Sequence, residues 1–270
     1  MRFYSLLASF FLFAGVGFET ALAQCSITDA TDCQCADSTL SNCDLLPDIT
    51  VSAWALANYL GGPTEYPQTG AGANNGRLRI SGSTPNIGHG AFTVGSTSMW
   101  VCGNDTLTVN PGTCPNGAAP SQLIKQKIYH KNGNTMTYSE RWAGAMTYHP
   151  SHSHMHVDDW VVMTLRIEDI NDPDPRNWPI VGTGQKLGFC LMDYGSCNQY
   201  NGHCRDSANN VLTSPNFPNY GLGGGQYNCS PVEQGISSGY TDIYSENLDG
   251  MWVDIPPGTC NGDYWVVIEA

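Results

Sequence analysis

Residues 148–160, YHPSHSHMHVDDW, decide how this chain folds, because they hold four of its seven histidines in a spacing that fits one backbone conformation. His152, His154 and His156 are separated by single residues. Side chains on a β-strand repeat every two residues, so a strand would project all three from one face. A helix would turn the middle one roughly 200° away from its neighbours. The motif therefore predicts a strand with three imidazoles on one face.

Three converging imidazoles suit a first-row transition metal such as copper, zinc, iron or nickel. The alternative is a polar, solvated strand face that is rich in histidine. Histidine is an uncommon residue and the run is not an engineered tag, so the pattern favours a metal site.

Short β-type runs, broken by Gly, Pro and Asn, surround the motif. They lie at 77–81, 90–94, 125–129, 159–167, 251–255 and 264–268. Turn signals at such intervals are typical of an antiparallel sandwich or barrel-like core. Helical periodicity is weak, and only residues 52–60 favour a short helix. We predict a mainly β fold, with an antiparallel β-sandwich-like core, long disulfide-stapled loops and little helix.

The chain divides into three predicted segments. Met1-Arg2, the apolar residues 3–18 and Ala21-Leu22-Ala23 describe a secretory signal peptide at 1–23, cleaved after Ala23. Residues 24–46 form a cysteine-rich N-terminal segment, and residues 47–270 a single domain without internal repeats. We therefore expect a secreted, extracellular protein, and no later segment is apolar enough to cross a bilayer.

Cysteine usage agrees with an oxidising compartment. The eleven cysteines are at 25, 33, 35, 43, 102, 114, 190, 197, 204, 229 and 260. Scattered cysteines in an exported chain predict disulfides, and no pair has the spacing of a zinc knuckle. By loop length, Cys102–Cys114 and Cys190–Cys197 would close short loops and Cys204–Cys229 a longer one. The odd total leaves one cysteine over.

The formal charge of −13 includes only four lysines. So acidic a surface disfavours nucleic acid and anionic membranes as partners and attracts cationic substrates. Simple solubility is the alternative explanation for the acidity.

Three further segments follow the histidine motif. They are GQKLGFCLMD at 184–193, QGIS at 234–237 continuing to DIYSENLDGMWVDI at 242–255, and PGTCNGDYWVV at 257–267. In this order behind His-x-His-x-His, they resemble the catalytic domain of the lysyl oxidase family. The resemblance runs from about Leu46 to the C-terminus and is specific from about Tyr148 onward.

The resemblance implies a copper centre and a cofactor made from the protein itself. The family's three copper-binding histidines fall on His152, His154 and His156, and His149 matches a histidine close to the metal that is not one of those ligands. The family's lysine tyrosylquinone would be built from Lys186 and Tyr244. For either residue alone, a surface lysine or a core tyrosine would be the simpler interpretation.

The implied activity is a secreted copper/quinone amine oxidase. Such an enzyme oxidatively deaminates primary amines, as peptidyl lysine of extracellular proteins or as small amines, to aldehydes. Molecular oxygen is the oxidant, and hydrogen peroxide and ammonia are released. Its quinone condenses with the amine, and a base then removes the α-proton; Asp242 and His149 are the candidates. For Asp158 and Asp159 two interpretations stay open: they orient the histidines by hydrogen bonds, or they are ordinary acids at a strand edge.

Several positions depart from the animal pattern. Ser151 stands where animal members have a cysteine, and the position of its partner still holds Cys229. The resemblance therefore implies that Cys229 pairs with Cys204 and that Cys190–Cys197 is retained. Cysteines are missing together at Tyr240 and Gly250, as expected for the loss of a whole disulfide. An insertion that includes residues 221–225 separates Lys186 from Tyr244, so contact between these two side chains is the structural requirement of the hypothesis.

The chain ends earlier than family members, which continue past a strand near Ile268. The sequence therefore predicts a truncated C-terminus, with Cys260 as the cysteine left over and a sheet edge exposed.

Two functions from other classes compete with the oxidase. One is an exported copper-binding or interaction domain with the same fold and no turnover. The other is a zinc hydrolase, because His154-x-His156-x-Asp158 approaches a His-x-His-x-Asp-His motif. Asp159 stands where that motif needs a histidine, and no α/β alternation surrounds it, so the hydrolase is the least favoured.

Overall fold

The computed structural model describes residues 25–69, 72–186, 188–206, 208–225 and 228–270. The predicted signal peptide at 1–23 lies outside these residues. In chain order the strands are β1 (Asn42–Leu45), β2 (Thr64–Glu65), β3 (Arg77–Arg79), β4 (Gly82–Pro85), β5 (Phe92–Cys102), β6 (Asp105–Leu107), β7 (Ser121–Asn132), β8 (Thr135–His149), β9 (His154–Asp158), β10 (Val162–Arg166), β11 (Ile180–Thr183), β12 (Gly188–Phe189), β13 (Gly195–Ser196), β14 (Glu233–Ile236), β15 (Tyr240–Tyr244), β16 (Trp252–Asp254) and β17 (Trp265–Glu269).

Antiparallel sheets dominate the architecture, as predicted. Within the described residues, the main sheet has eight strands in the order β12-β9-β8-β7-β5-β14, with β1 added on β7 and β6 on β5. Three smaller sheets have the orders β11-β10-β17, β13-β15-β4 and β16-β3-β2. The six predicted β-type runs each overlap a strand, and the mainly β fold class is confirmed.

The core lies between the main sheet and the smaller sheets. One cluster of buried side chains takes Ile124, Met146 and Val157 from the main sheet and Met163 and Val253 from two of the smaller ones. Burying such aliphatic side chains stabilises the fold by roughly 1.5–3 kcal/mol each. This layering is the sandwich-like core predicted from the β-type runs and the turn signals between them.

The helix predicted at 52–60 is present and short. It is α1 (Ala53–Asn58), and the Ser52 side chain caps it by accepting a hydrogen bond from the Ala55 amide at 3.2 Å. A 3-10 turn, Tyr59–Gly61, follows, and Leu60 at φ 56° ends the helical path. A second 3-10 turn is Pro175–Asn177. None of the helices in the described part of the chain is long and apolar enough to cross a membrane.

The disulfides correct two of the predicted pairings. Cys102–Cys114 forms as predicted, and Cys25–Cys33 and Cys35–Cys43 staple the N-terminal segment. The predictions Cys190–Cys197 and Cys204–Cys229 are wrong, since the observed pairs are Cys190–Cys229 and Cys197–Cys204. Cys260 is exposed and unpaired, as predicted.

Strand packing explains the exchange of partners. The Leu191 carbonyl accepts a hydrogen bond from Gly235 of β14, which brings the residue after β12 beside the segment that holds Cys229. Residues 196–203 fold back through tight turns and return Cys204 to Cys197. Loop length alone carries no information on these tertiary contacts.

Candidate metal and lysine–tyrosine site

The histidine motif forms the hairpin between β8 and β9. His149, at the end of β8, pairs in register with His154, at the start of β9, and residues 150–153 make the turn. The amides of His152 and Ser153 both donate to the His149 carbonyl, and Ser153 adopts φ 59° to close the turn. The prediction of one strand carrying three histidines is therefore correct for His154 and His156 and wrong for His152.

The turn nevertheless brings all four imidazoles together. The Nε2 atoms of His154 and His156 are 3.0 Å apart, and His152 Nδ1 is 3.4 Å from His156 Nε2. His149 stacks on His156 with ring centroids 4.7 Å apart. Ligand atoms of His149, His152 and His156 lie within 4.8 Å of one another, so geometry places His149 inside the cluster rather than beside it.

The cluster is suited to hold a metal ion. Two nitrogens at about 2.0–2.1 Å from one shared ion lie roughly 3 Å apart, which is the spacing seen here. Burial and the charge of Lys186 lower the pKa of His156 to about 3, and burial lowers the pKa values of His152 and His154. These rings are therefore held neutral, with lone pairs free to ligate.

A second group of possible ligands, His154 with Cys190 and Cys229, lies beside the cluster. Its two cysteines form a disulfide with each other and have no thiolate to offer. The usable donor group among these residues is therefore His149, His152 and His156. His154 adjoins this group through His156, 3.0 Å away between the Nε2 atoms, so the geometry favours His149 over His154 as a third ligand, unlike the set that the resemblance implies.

Lys186 reaches the cluster because two strands hold its segment. On one side, Gly184 bridges to Val253 and the Gln185 amide donates to the Trp252 carbonyl at 3.1 Å. On the other side, Gly188 of β12 pairs with Asp158 of β9. Lys186 is thereby placed between β16 and the histidine strand, with its side chain turned inward and 8% exposed.

Tyr244 meets Lys186 despite the insertion between them. Lys186 Nζ lies 5.4 Å from the centroid of the Tyr244 ring and 5.1 Å from that of Phe189. Phe189 packs edge-on against Tyr244 with centroids 4.9 Å apart. The Tyr244 hydroxyl donates a short hydrogen bond to the Cys190 carbonyl, which fixes the ring at the end of β15.

The electrostatics around this pair are unusual. Burial lowers the pKa of Lys186, while the charges of Asp249 and Asp242 oppose that shift. Burial raises the pKa of Tyr244 well above its ordinary value, and the neighbouring Asp242 adds to the effect. No carboxylate of the described residues lies within 4 Å of Lys186 Nζ. Burial therefore weakens the ammonium form of Lys186 relative to that of an exposed lysine, and it keeps the Tyr244 phenol protonated.

Asp242 is the deepest acid of the site. Its side chain is 1% exposed, and neither carboxylate oxygen makes a hydrogen bond of ordinary geometry within the described chain. Burial raises its pKa well above the usual range. Unsatisfied buried carboxylates are rare and cluster at functional sites.

Two further residues support the site and were not identified from the sequence. Gln234 is fully buried; its amide nitrogen donates to the carbonyl of Met155, between two histidines, and its oxygen accepts from the Leu191 amide. Asp249 lines the cavity that contains Lys186. Gln234 lies in the quoted QGIS segment, so the signal was present, but its partners are visible only in the fold.

The fold and site define a disulfide-stapled β protein with a histidine cluster next to a buried lysine–tyrosine pair. Residues 221–269 match the family model described as lysyl oxidase, and this match supports membership of the lysyl oxidase family, an oxidoreductase family of amine oxidases. The matched segment contains Asp242 and Tyr244, whereas the histidine motif and Lys186 precede it. Comparison with curated proteins and with solved structures finds no significant match to the chain.

Proposed function

We propose that this protein is a secreted, copper-dependent amine oxidase that converts primary amines to aldehydes, with release of hydrogen peroxide and ammonia. Its quinone cofactor would be lysine tyrosylquinone, built from Lys186 and Tyr244. The observation that carries this proposal is the 5.4 Å between Lys186 Nζ and the Tyr244 ring centroid, in a buried space beside four imidazoles.

His152, His154 and His156 are the proposed copper ligands. Neutral imidazole nitrogens are ligands that copper prefers, and the lowered pKa values keep protons from competing for them. His149 completes the cluster by stacking on His156, and it donates to or accepts from Ser151 Oγ at 2.9 Å.

Bound copper with molecular oxygen would supply the oxidation of the Tyr244 ring, and the resulting quinone would supply the electrophilic carbonyl for the amine. Lys186 contributes the nucleophile for cofactor assembly, because burial favours its neutral amine. The Cys190 carbonyl and the Phe189 ring hold Tyr244 and Lys186 in place for their union.

Asp242 is the proposed base for the α-proton of the substrate. It is two residues before Tyr244 on β15, so the two side chains leave the strand on the same face. Burial raises its pKa, so this carboxylate would hold an abstracted proton more firmly than an exposed aspartate does. His149 is the alternative base from the sequence, and its place inside the histidine cluster favours a metal-facing role instead.

The proposed setting is extracellular, and the proposed partners are a primary amine and molecular oxygen. Five disulfides in the described chain indicate an oxidising compartment. Lysine side chains of extracellular proteins are amines of the required class, and the acidic surface favours cationic partners over nucleic acid or anionic membranes.

The test is amine-dependent peroxide production by copper-loaded protein and four variants. Lys186→Arg and Tyr244→Phe each remove one cofactor precursor, so activity should fall by at least about 100-fold while copper stays bound. Lys131→Arg and Tyr129→Phe are the matched controls, because both residues are buried and far along the sheet, and they should keep activity. Full activity in Lys186→Arg would contradict the proposal. Copper binding without turnover in the unaltered protein would favour a non-catalytic copper-binding domain.

A further inference from the structure

The long strand β8 has one edge that no strand of the described chain pairs with. On one side, β7 pairs with β8 from Thr135 to Thr147. On the other side, β9 pairs with it only from Met146 to His149. Along residues 135–142 every side chain is exposed except that of Met136, which is partly buried. The second side of this stretch is therefore open to solvent.

The hairpin turn shows which backbone groups lie on the open edge. Two residues, Gly133 and Asn134, join β7 to β8, with Gly133 at φ 58°, and Asn132 pairs with Thr135. In a two-residue hairpin this closing pair exchanges its backbone hydrogen bonds, and hydrogen-bonded and non-hydrogen-bonded pairs then alternate along the strands. The residues whose amides and carbonyls point away from β7 are Met136, Tyr138, Glu140 and Trp142. No turn or side chain of the described residues hydrogen-bonds to these groups.

This edge lacks the usual protection against pairing with another chain. Proteins protect exposed edges with lysine, proline, bulges or a covering element. Residues 135–142 contain neither lysine nor proline, and their only charges are Glu140 and Arg141, one of each sign. The register with β7 shifts only beyond Trp142, so the edge is regular up to that residue. A regular, unprotected edge is a template for a further strand.

We propose that the open edge of β8 pairs antiparallel with the same edge of a second copy of the chain, about a two-fold axis at Ser139. Identical strands that pair in this way form a closed, symmetric dimer. The axis at Ser139 sets Met136 opposite Trp142 of the second copy and Tyr138 opposite Glu140 of the second copy. All four outward-facing residues then exchange backbone hydrogen bonds.

The side chains favour this register over its neighbours. With the axis at Ser139, Arg141 stands opposite Thr137 of the second copy, and no like charges are directly opposed. An axis at Glu140 or at Arg141 would set one charge against its own copy, which is destabilising. An axis at Tyr138 would leave Trp142 opposite the turn, with one pair lost. The thioether of Met136 also gains a favourable contact with the Trp142 ring of the second copy.

The first test is the mass of the protein in solution, measured by sedimentation velocity at micromolar concentration. This inference goes beyond the proposed function and needs neither copper nor cofactor. All proteins carry Cys260→Ser, so that this exposed thiol cannot link two copies. We expect twice the mass of one chain, and monomer for Ser139→Lys, because two lysines would stand opposite each other on the axis. Thr113→Lys, at another exposed position, is the control and should remain a dimer.

The second test checks the register by cross-linking in oxidised glutathione. Across the axis the two Cα atoms of residue 139 would be about 4.5 Å apart, as in a non-hydrogen-bonded pair, and this distance suits a disulfide. The two copies of residue 137 would be about 13 Å apart along the strands, which is too far. In the same Cys260→Ser background, Ser139→Cys should give mostly covalent dimer and Thr137→Cys should give little.

Three outcomes would overturn the inference. The protein could remain a monomer at every concentration measured, in which case the edge does not pair with its own copy. The dimer could persist unchanged in Ser139→Lys, which would place the interface elsewhere on the molecule. Equal cross-linking of Ser139→Cys and Thr137→Cys would show random encounter rather than a register about Ser139. Each of these results would leave the proposed amine oxidase activity untouched.

Discussion

Lys186 is placed where burial works against its charge. Fully burying a lysine cation without a close partner is costly, and the group responds by a lower pKa. The same environment that weakens the cation makes the amine a nucleophile, beside a phenol that burial keeps protonated. The unusual electrostatics and the proposed chemistry therefore have one cause.

A pH dependence of cofactor assembly follows from this. The reactive species is the neutral amine, whose fraction reaches one half at the pKa of Lys186 and approaches one above it. Because burial lowers that pKa, assembly should speed up over a lower pH range than an exposed lysine would require. The measurement is the initial rate of Lys186–Tyr244 cross-linking after copper is added to metal-free protein. A rate that falls with rising pH above the titration of the histidines would contradict the explanation.

At the scale of single residues, the sequence identifies the candidate reactive residues but not the neighbouring residues that hold them in position. His149, His152, His154, His156, Lys186 and Tyr244 carry unusual chemistry in recognisable spacing, and the structure brings all six together. Gln234 and Asp249 are common residue types whose importance depends on what lies opposite them. Gln234 is informative only because the Met155 carbonyl is within 3.0 Å.

At the scale of the elements, the positions of the histidines depend on turns as well as on strands. The alternating histidines predict a strand, but the hairpin turn at 150–153 takes His152 out of it. A four-residue turn lets β8 and β9 pair through His149 and His154. Starting β9 earlier, at His152, would leave too few residues for this turn, so β9 begins at His154. The position of a turn depends on the register of both strands, which one strand's periodicity does not specify.

The turn that ends at Gly250 offers a test at the scale of the element. Gly250 has φ 76°, and a Cβ atom there would lie 3.0 Å from Lys186 Cβ. Gly258 has φ 86°, and a Cβ atom there would meet nothing within 4 Å. Both alanine substitutions incur the same backbone strain, of about 1–2 kcal/mol.

Gly250→Ala should therefore slow cross-linking and lower amine oxidase activity, because the new methyl group would crowd Lys186 and shift it from its present position beside Tyr244. Gly258→Ala should show a similar loss of unfolding free energy with normal activity. Thermal unfolding and peroxide production measure the two effects separately. Equal activity in both variants would show that the position of Lys186 does not depend on this turn.

At the scale of the whole molecule, disulfides hold the segments that bear the site residues next to one another. Cys190–Cys229 joins the segment after β12 to the segment before β14, across a sequence separation of 39 residues. Tyr244 hydrogen-bonds to the carbonyl of Cys190 itself, so this disulfide anchors the acceptor that holds the tyrosine ring. Cys102–Cys114 closes a loop of separation 12 on a distant hairpin and serves as a comparison.

Replacing both cysteines of Cys190–Cys229 by serine should lower the free energy of unfolding by about 4 kcal/mol, and the same change at Cys102–Cys114 by about 3 kcal/mol, from loop-closure entropy. Only the first pair of changes should also impair cross-linking, since only that pair anchors Tyr244. Denaturant unfolding and peptide mapping would measure these losses. Normal cross-linking without Cys190–Cys229 would contradict the anchoring role.

At this scale the sequence predicts the type of fold and its strands but not their partners. The β-type runs mark strand positions because residues that favour strands and the turn residues that end them are both local signals. The fifteen-residue β8 was not predicted, because much of it is exposed on both faces and it contains few buried apolar residues. The partners of Cys190 and Cys229 were predicted wrongly for a related reason: disulfide pairing depends on how distant strands pack.

Peptide mass spectrometry of copper-loaded, aerobically incubated protein tests the central claim most directly. After full reduction and alkylation of the disulfides, the account predicts one proteolytic species that joins the peptide of Lys186 to that of Tyr244. This species should be missing from metal-free protein and from Lys186→Arg. Separate, unmodified Lys186 and Tyr244 peptides from folded protein with copper bound would contradict the account.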